Sequence, residues 1–81
     1  MKWSKIEPLI RNNFNEKDQA LMEKFFSKRD FTSMWEITVS ELKKESMKST
    51  PGNISERSCN LQELYFHLTK QLESLGEIYE Q

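Results

Sequence analysis

Residues 61–79 read Leu-Gln-Glu-Leu-Tyr-Phe-His-Leu-Thr-Lys-Gln-Leu-Glu-Ser-Leu-Gly-Glu-Ile-Tyr, and this stretch decides the fold. Leu61, Leu68 and Leu75 recur every seven positions, with Tyr65, Leu72 and Tyr79 in step beside them. Leu64 and Ile78 fill a third column, interrupted by Gln71. Three apolar columns in seven make a face wide enough to floor a globular core, where a coiled-coil seam would need only two. The segment is therefore an amphipathic helix buried against other parts of the chain. Gln71 lies at the edge of its stripe.

Working outward, helix starts are marked by capping residues three positions ahead of a carboxylate: Ser4 with Glu7, Ser33 with Glu36, and Asn60 with Glu63. At that spacing each side chain satisfies the other's free backbone donor. Cys59 and Leu64 stand where a hydrophobic staple would bracket the third start. Asn15 with Asp18 is a weaker signal of the same kind, because Asp reaches back less well than Glu.

These marks divide the chain into helices over about 5–14, 16–29, 34–46 and 61–79, with a loop over 47–58. The first helix presents Ile6, Leu9, Ile10 and Phe14, with Pro8 in its first turn, where a missing donor costs little. The second presents Leu21, Met22, Phe25 and Phe26. In the third, Trp35, Val39 and Leu42 share a face that Met34 and Ile37 widen. Residues 35–40 alternate apolar and polar as a half-buried strand would. No second strand exists to complete a ladder, and the run continues into strong helix formers, so helix is expected. The loop contains Pro51-Gly52, a firm turn signal, and is expected to act as a connector.

The expected fold is all-α: a small four-helix bundle with a long C-terminal amphipathic helix, in one domain of 81 residues. Charged residues make up 31% of the chain but nearly cancel, to −1, so no whole-molecule field draws it to nucleic acid or an acidic membrane. Residues 1–50 carry ten Lys/Arg against eight Asp/Glu, and residues 51–81 two against five, so the negative excess lies with the last helix. A lone cysteine, Cys59, excludes an intrachain disulfide framework. No apolar run resembles a signal peptide or a membrane span, so the expected compartment is the cytoplasm.

The chemistry-bearing groupings are thin. Cys59, Glu63 and His67 are spaced four apart along one helix, but zinc sites usually draw four ligands and the chain has no further Cys or His. No metal or cofactor is expected, and Cys59 reads as a small buried hydrophobe. Cys59 and His67 are about 12 Å apart in helical rise, too far for proton transfer. Two glycines cannot build a phosphate loop, so an enzyme is not expected.

Contact with another protein is better supported. Phe66 falls nearly opposite the apolar columns, flanked by Glu63, Lys70 and Glu73. No single core takes both faces of one helix, so Phe66 is the expected contact residue. The expected function is that of a non-enzymatic protein–protein interaction module, a small regulator, adaptor or assembly subunit working through helix-mediated contacts. Self-association through the last helix is one form this can take. The alternative is a small DNA- or RNA-binding regulator using Lys24, Lys28 and Arg29 at the end of the second helix and Lys43, Lys44 and Lys48 at the end of the third. Cations at helix C-termini have a simpler cause in the helix dipole. The third helix also opens Ser33-Met34-Trp35-Glu36, poor equipment for a phosphate-lined groove.

Overall fold

The computed structural model describes residues 2–48 and 56–76. Four helices follow one another, α1 (Trp3–Arg11), α2 (Glu16–Ser27), α3 (Phe31–Lys48) and α4 (Glu56–Ser74), with no strand among the described residues. Each packs on its neighbour in the chain, and the ring closes through α1 on α4. The α3–α4 pair is the most extensive contact. The assembly is a slab of about 35 × 34 × 18 Å.

The leucine face of α4 is the floor of this core. Leu61, Leu64, Leu68 and Leu72 are all buried, while Tyr65 and Gln71 sit half-buried at its margins. Burying four such side chains stabilises the fold by roughly 1.5–3 kcal/mol each, before the entropy of ordering the chain is counted. Ile6 and Ile10 meet them from α1, Met22 from α2, and Phe31 and Met34 from α3. Leu75 belongs to the same column by sequence but is 53% exposed. The helix stops first, because Gly76 adopts a left-handed φ of 76° and donates its N–H to Glu73 O at 3.0 Å. This stop signal overrides the heptad pattern. Ile78 and Tyr79 lie outside the described residues.

The other helix boundaries also depart from expectation. α1 starts at Trp3 with Lys2 as its cap, and no side chain caps that end. Ser4 is therefore inside the helix, and Glu7 instead accepts from the Trp3 indole Nε1, one turn earlier in the same helix, at 2.8 Å. The same indole packs 5.1 Å from the Phe26 ring, which ties the start of α1 to α2. Pro8 consequently lies beyond the first turn, where it removes one bond of the helical ladder. α1 ends at Arg11, and Phe14 reaches the core from the following turn. The carbonyls freed there are taken by side chains: Asn13 Nδ2 donates to Leu9 O at 2.7 Å and Gln19 Nε2 to Phe14 O at 2.6 Å.

The Asn15 signal marks a true cap, its Oδ1 accepting from Asp18 N at 2.8 Å. α2 then ends two residues short of the expected 29, in a turn where Asp30 N donates to Phe25 O at 2.8 Å and Arg29 N to Phe26 O at 3.0 Å. These crossed bonds require a left-handed residue, usually Gly, but Arg29 occupies the position with φ 60°. The left-handed backbone costs a non-glycine residue roughly 1–2 kcal/mol, of which the Arg29 contact with the Phe26 ring (5.7 Å to the centroid) offsets about 0.5–1 kcal/mol.

α3 begins at Phe31, not Met34, because the cap is Asp30. Its carboxylate accepts from both Ser33 N (3.2 Å) and Ser33 Oγ (2.7 Å), so Ser33 is a recipient of the cap and not its source. The core face of α3 is also rotated from the expected one. Phe31, Met34 and Thr38 are buried, while Trp35, Val39 and Leu42 are half-buried. Thr38 is tolerated inside because its Oγ1 donates to Met34 O at 2.9 Å. Trp35 needs a margin where its Nε1 can donate, and it finds Thr69 Oγ1 at 2.9 Å.

α3 runs on to Lys48 and α4 starts at Glu56, five residues before Leu61, so the connection is shorter than the expected 47–58. Asn60 and Glu63 are interior to α4 and cap nothing, and the Cys59–Leu64 staple fails for the same reason. The Pro51-Gly52 turn lies outside the described residues.

The two ends of the leucine column should separate in a denaturation experiment. Leu68→Ala is expected to cost about 2–5 kcal/mol, as for other leucines deleted from a packed core. Leu75→Ala is expected to stay within about 0.5 kcal/mol of the parent in urea unfolding.

Candidate functional site

The outer face of α4 is set by the same geometry that buries its leucines. With Leu61, Leu64, Leu68 and Leu72 turned inward, Cys59, Gln62, Glu63, Phe66 and Lys70 are turned out. Phe66 is 57% exposed and is the one exposed aromatic ring among the described residues. Lys70 holds its ammonium 5.5 Å from the centroid of that ring, and the His67 ring meets it edge-on at 6.3 Å. Glu63 Oε1 lies 4.0 Å from His67 Nε2. Glu73 is half-buried. The structure thus assembles Glu63, Phe66, His67 and Lys70 into one solvent-facing group, with Glu73 at its edge.

The expected metal-like spacing does not produce a cluster. His67 approaches Glu63, but among the described residues no three of His, Cys, Asp and Glu converge on a common point. Cys59 is exposed, contrary to its reading as a buried hydrophobe. Its position in the first turns of α4 carries it onto the outer face.

The cations expected at helix ends are separated by the fold. Lys24, Lys28 and Arg29 lie beside the start of α3, while Lys43, Lys44 and Lys48 belong to its last turns. About 18 Å of helical rise separates Phe31 from Lys43. Lys44 is engaged with Glu41 at 3.4 Å. The two groups therefore belong to opposite ends of α3.

A residue the sequence reading passed over, Arg57, organises the opposite end of the bundle. Its Nη1 donates to Glu45 at 2.6 Å, and its Nη2 to Glu41 at 3.0 Å and to Asn13 O at 2.9 Å. One guanidinium thereby joins α4 to α3 and to the turn after α1. Burial alone would lower its pKa, but the hydrogen bonds and charges of Glu41 and Glu45 outweigh burial and hold it above the ordinary guanidinium value. A raised pKa stabilises the fold at all pH below the unfolded value, and the contribution is lost only in strong alkali.

The signal for this anchor was present but indirect. Met34, Thr38, Glu41 and Glu45 follow one another at spacings of four, three and four, so the inward stripe of α3 turns acidic in its last turns. Acid on an inward stripe calls for a cation from another element.

Beside Arg57 lies an open polar cleft of about 290 Å³, lined by Asn12, Asn13, Glu56, Arg57 and Asn60. Arg57 is already committed to three acceptors, and among the described residues no buried side-chain polar atom lacks a partner. The cleft reads as the outer side of a structural junction.

Truncating the anchor should be costly because it removes the hydrogen bonds that tie α4 to α3 and to the turn after α1. Arg57→Met is expected to lower stability by about 1–2 kcal/mol in chemical denaturation, less than for a fully buried pair because Lys44 still reaches Glu41. Arg57→Lys should recover only part of this, since an ammonium lacks the planar fork. No family model matches the chain, and no curated protein sequence or solved structure matches it.

Proposed function

We propose that the chain is a non-enzymatic interaction module, a small regulator, adaptor or assembly subunit, that docks on another protein through the outer face of α4. The observation that supports this reading is the exposed Phe66 ring on the face of α4 away from the core. Aromatic anchors of this kind dominate protein interfaces, because a large ring excludes much water while freezing few torsions. The Lys70 ammonium beside the ring and the His67 ring at its edge restrict its motion before any partner arrives. A side chain held in place in the free protein loses less entropy on binding. Glu63 and Lys70 supply a polar rim of both signs, suited to fixing the orientation of a partner.

The reading also accommodates self-association, with a second copy presenting the same face. It does not depend on the polar cleft or on Cys59.

Two measurements on Phe66→Ala test it together. Thermal unfolding should shift by no more than the equivalent of about 0.5 kcal/mol, as for a surface residue. Association, followed by sedimentation of the purified protein and by affinity capture from its native cell, should weaken at least tenfold. A loss of several kcal/mol of stability would place the ring in the core and defeat the proposal. Undiminished association in a folded variant would defeat it equally.

A further inference from the structure

A second surface, made of different residues, stands where α1 begins and α2 ends. The fold joins these two places through Trp3 and Phe26, whose rings lie 5.1 Å apart, with Phe31 edge-on to Phe26 at 5.9 Å. This contact brings the start of α1, which Lys2 caps, to the last turn of α2, which the turn of Lys28 and Arg29 follows. Sequence distance conceals the grouping, since Lys2 and Arg29 are far apart along the chain.

Two properties of the corner point the same way. Its cations are exposed, and among the described residues Lys2, Lys24, Lys28 and Arg29 take part in no ion pair, whereas Arg11, Lys44 and Arg57 do. The nearest carboxylates in sequence are mostly engaged, Glu7 with the Trp3 indole and Arg11, and Asp30 with Ser33. Glu23 on α2 is exposed and remains as an opposing charge. Arg29 also occupies a left-handed turn position, φ 60°, where glycine would sit without strain. An uncommon backbone conformation kept by a long cationic side chain is an observation that calls for a function of that side chain. Its guanidinium is laid over Phe26, the same ring against which the half-buried Trp3 indole packs.

We infer that this corner binds single-stranded nucleic acid, with backbone phosphates on Arg29, Lys28 and Lys2 and a base stacked against Trp3. Unpaired cations beside aromatic rings are what such strands require, because every base offers a ring face and every nucleotide a charge. An acidic polypeptide would use the cations and leave the indole idle. With a net charge of −1 the chain gains no long-range steering, so the contact is local and strongly weakened by salt.

The test uses the full chain with fluorescently labelled oligo-dT and oligo-U, read by anisotropy across a salt series. Three phosphate contacts predict a slope of about −2 in log K against log salt, at roughly 0.7 per phosphate for single strands. Arg29→Gly should weaken binding about three- to tenfold and flatten the slope by about 0.7, with its thermal midpoint unchanged or raised. Lys28→Ala, which leaves the left-handed turn alone, should weaken binding similarly. Glu23→Gln should tighten it, and Lys43→Ala, at the far end of α3, should leave it unchanged. In a two-dimensional NMR titration the Trp3 indole resonance should move while that of Trp35 stays. Absence of binding at low salt overturns the inference, as does an Arg29→Gly protein that binds like its parent. Equal displacement of the oligonucleotide by polyglutamate of matched charge, with the Trp3 resonance unmoved, also overturns it, in favour of an acidic polypeptide.

Discussion

The guanidinium of Arg57 fixes three parts of the chain to one another at a single point. It reaches from the first turn of α4 to Glu41 and Glu45 on α3 and to the carbonyl of Asn13 after α1. Apolar burial along α4 supplies most of the driving force, but it is non-directional and tolerates a helix sliding along its own leucine stripe. A planar fork with three acceptors in fixed places does not tolerate this. The tie also explains why α4 begins five residues before its first buried leucine. The added turns bring Arg57 to the acids of α3.

Once α4 is placed, its two faces have different fates. The inward face is exhausted by Leu61, Leu64, Leu68 and Leu72, which meet α1, α2 and α3 in one core. The outward face keeps Phe66, which no element among the described residues covers. The aromatic residues at the other corner are used differently. Trp3, Phe26 and Phe31 form a short series of ring contacts that fastens α1 to the α2–α3 turn, and Arg29 closes one side of it. One exposed ring and one cation-rimmed set of rings are the two surfaces on which the functional proposals rest.

Much of this was legible in the sequence. The four helices, the leucine face of α4 and the outward placement of Phe66 all follow from spacing alone. Of the four capping signals only Asn15 with Asp18 acts as read, and it was the weakest. Ser4, Ser33 and Asn60 have the right residues at the right spacing, but Trp3, Asp30 and Arg57 each move the helix start upstream. In α1 and α4 this happens through contacts with other helices, a Trp3–Phe26 ring contact and an Arg57 fork. In α3 the competing cap Asp30 engages Ser33 by both of its oxygens. The candidate site was visible as a face, but the cation over its ring and the half-burial of Glu73 were not.

The sequence by itself determined that the chain forms four helices and which broad face of α4 is buried, because periodicity and propensity are local properties that survive without tertiary contacts. Only the tertiary structure decided where each helix begins, that α3 turns Met34 and Thr38 inward in preference to Trp35 and Val39, and that Lys2 and Arg29 share a corner. Those choices depend on partners distant in sequence. A free donor at a helix end, an inward acid or an indole N–H can be satisfied by any suitable group the fold brings near, and local sequence does not say which one arrives.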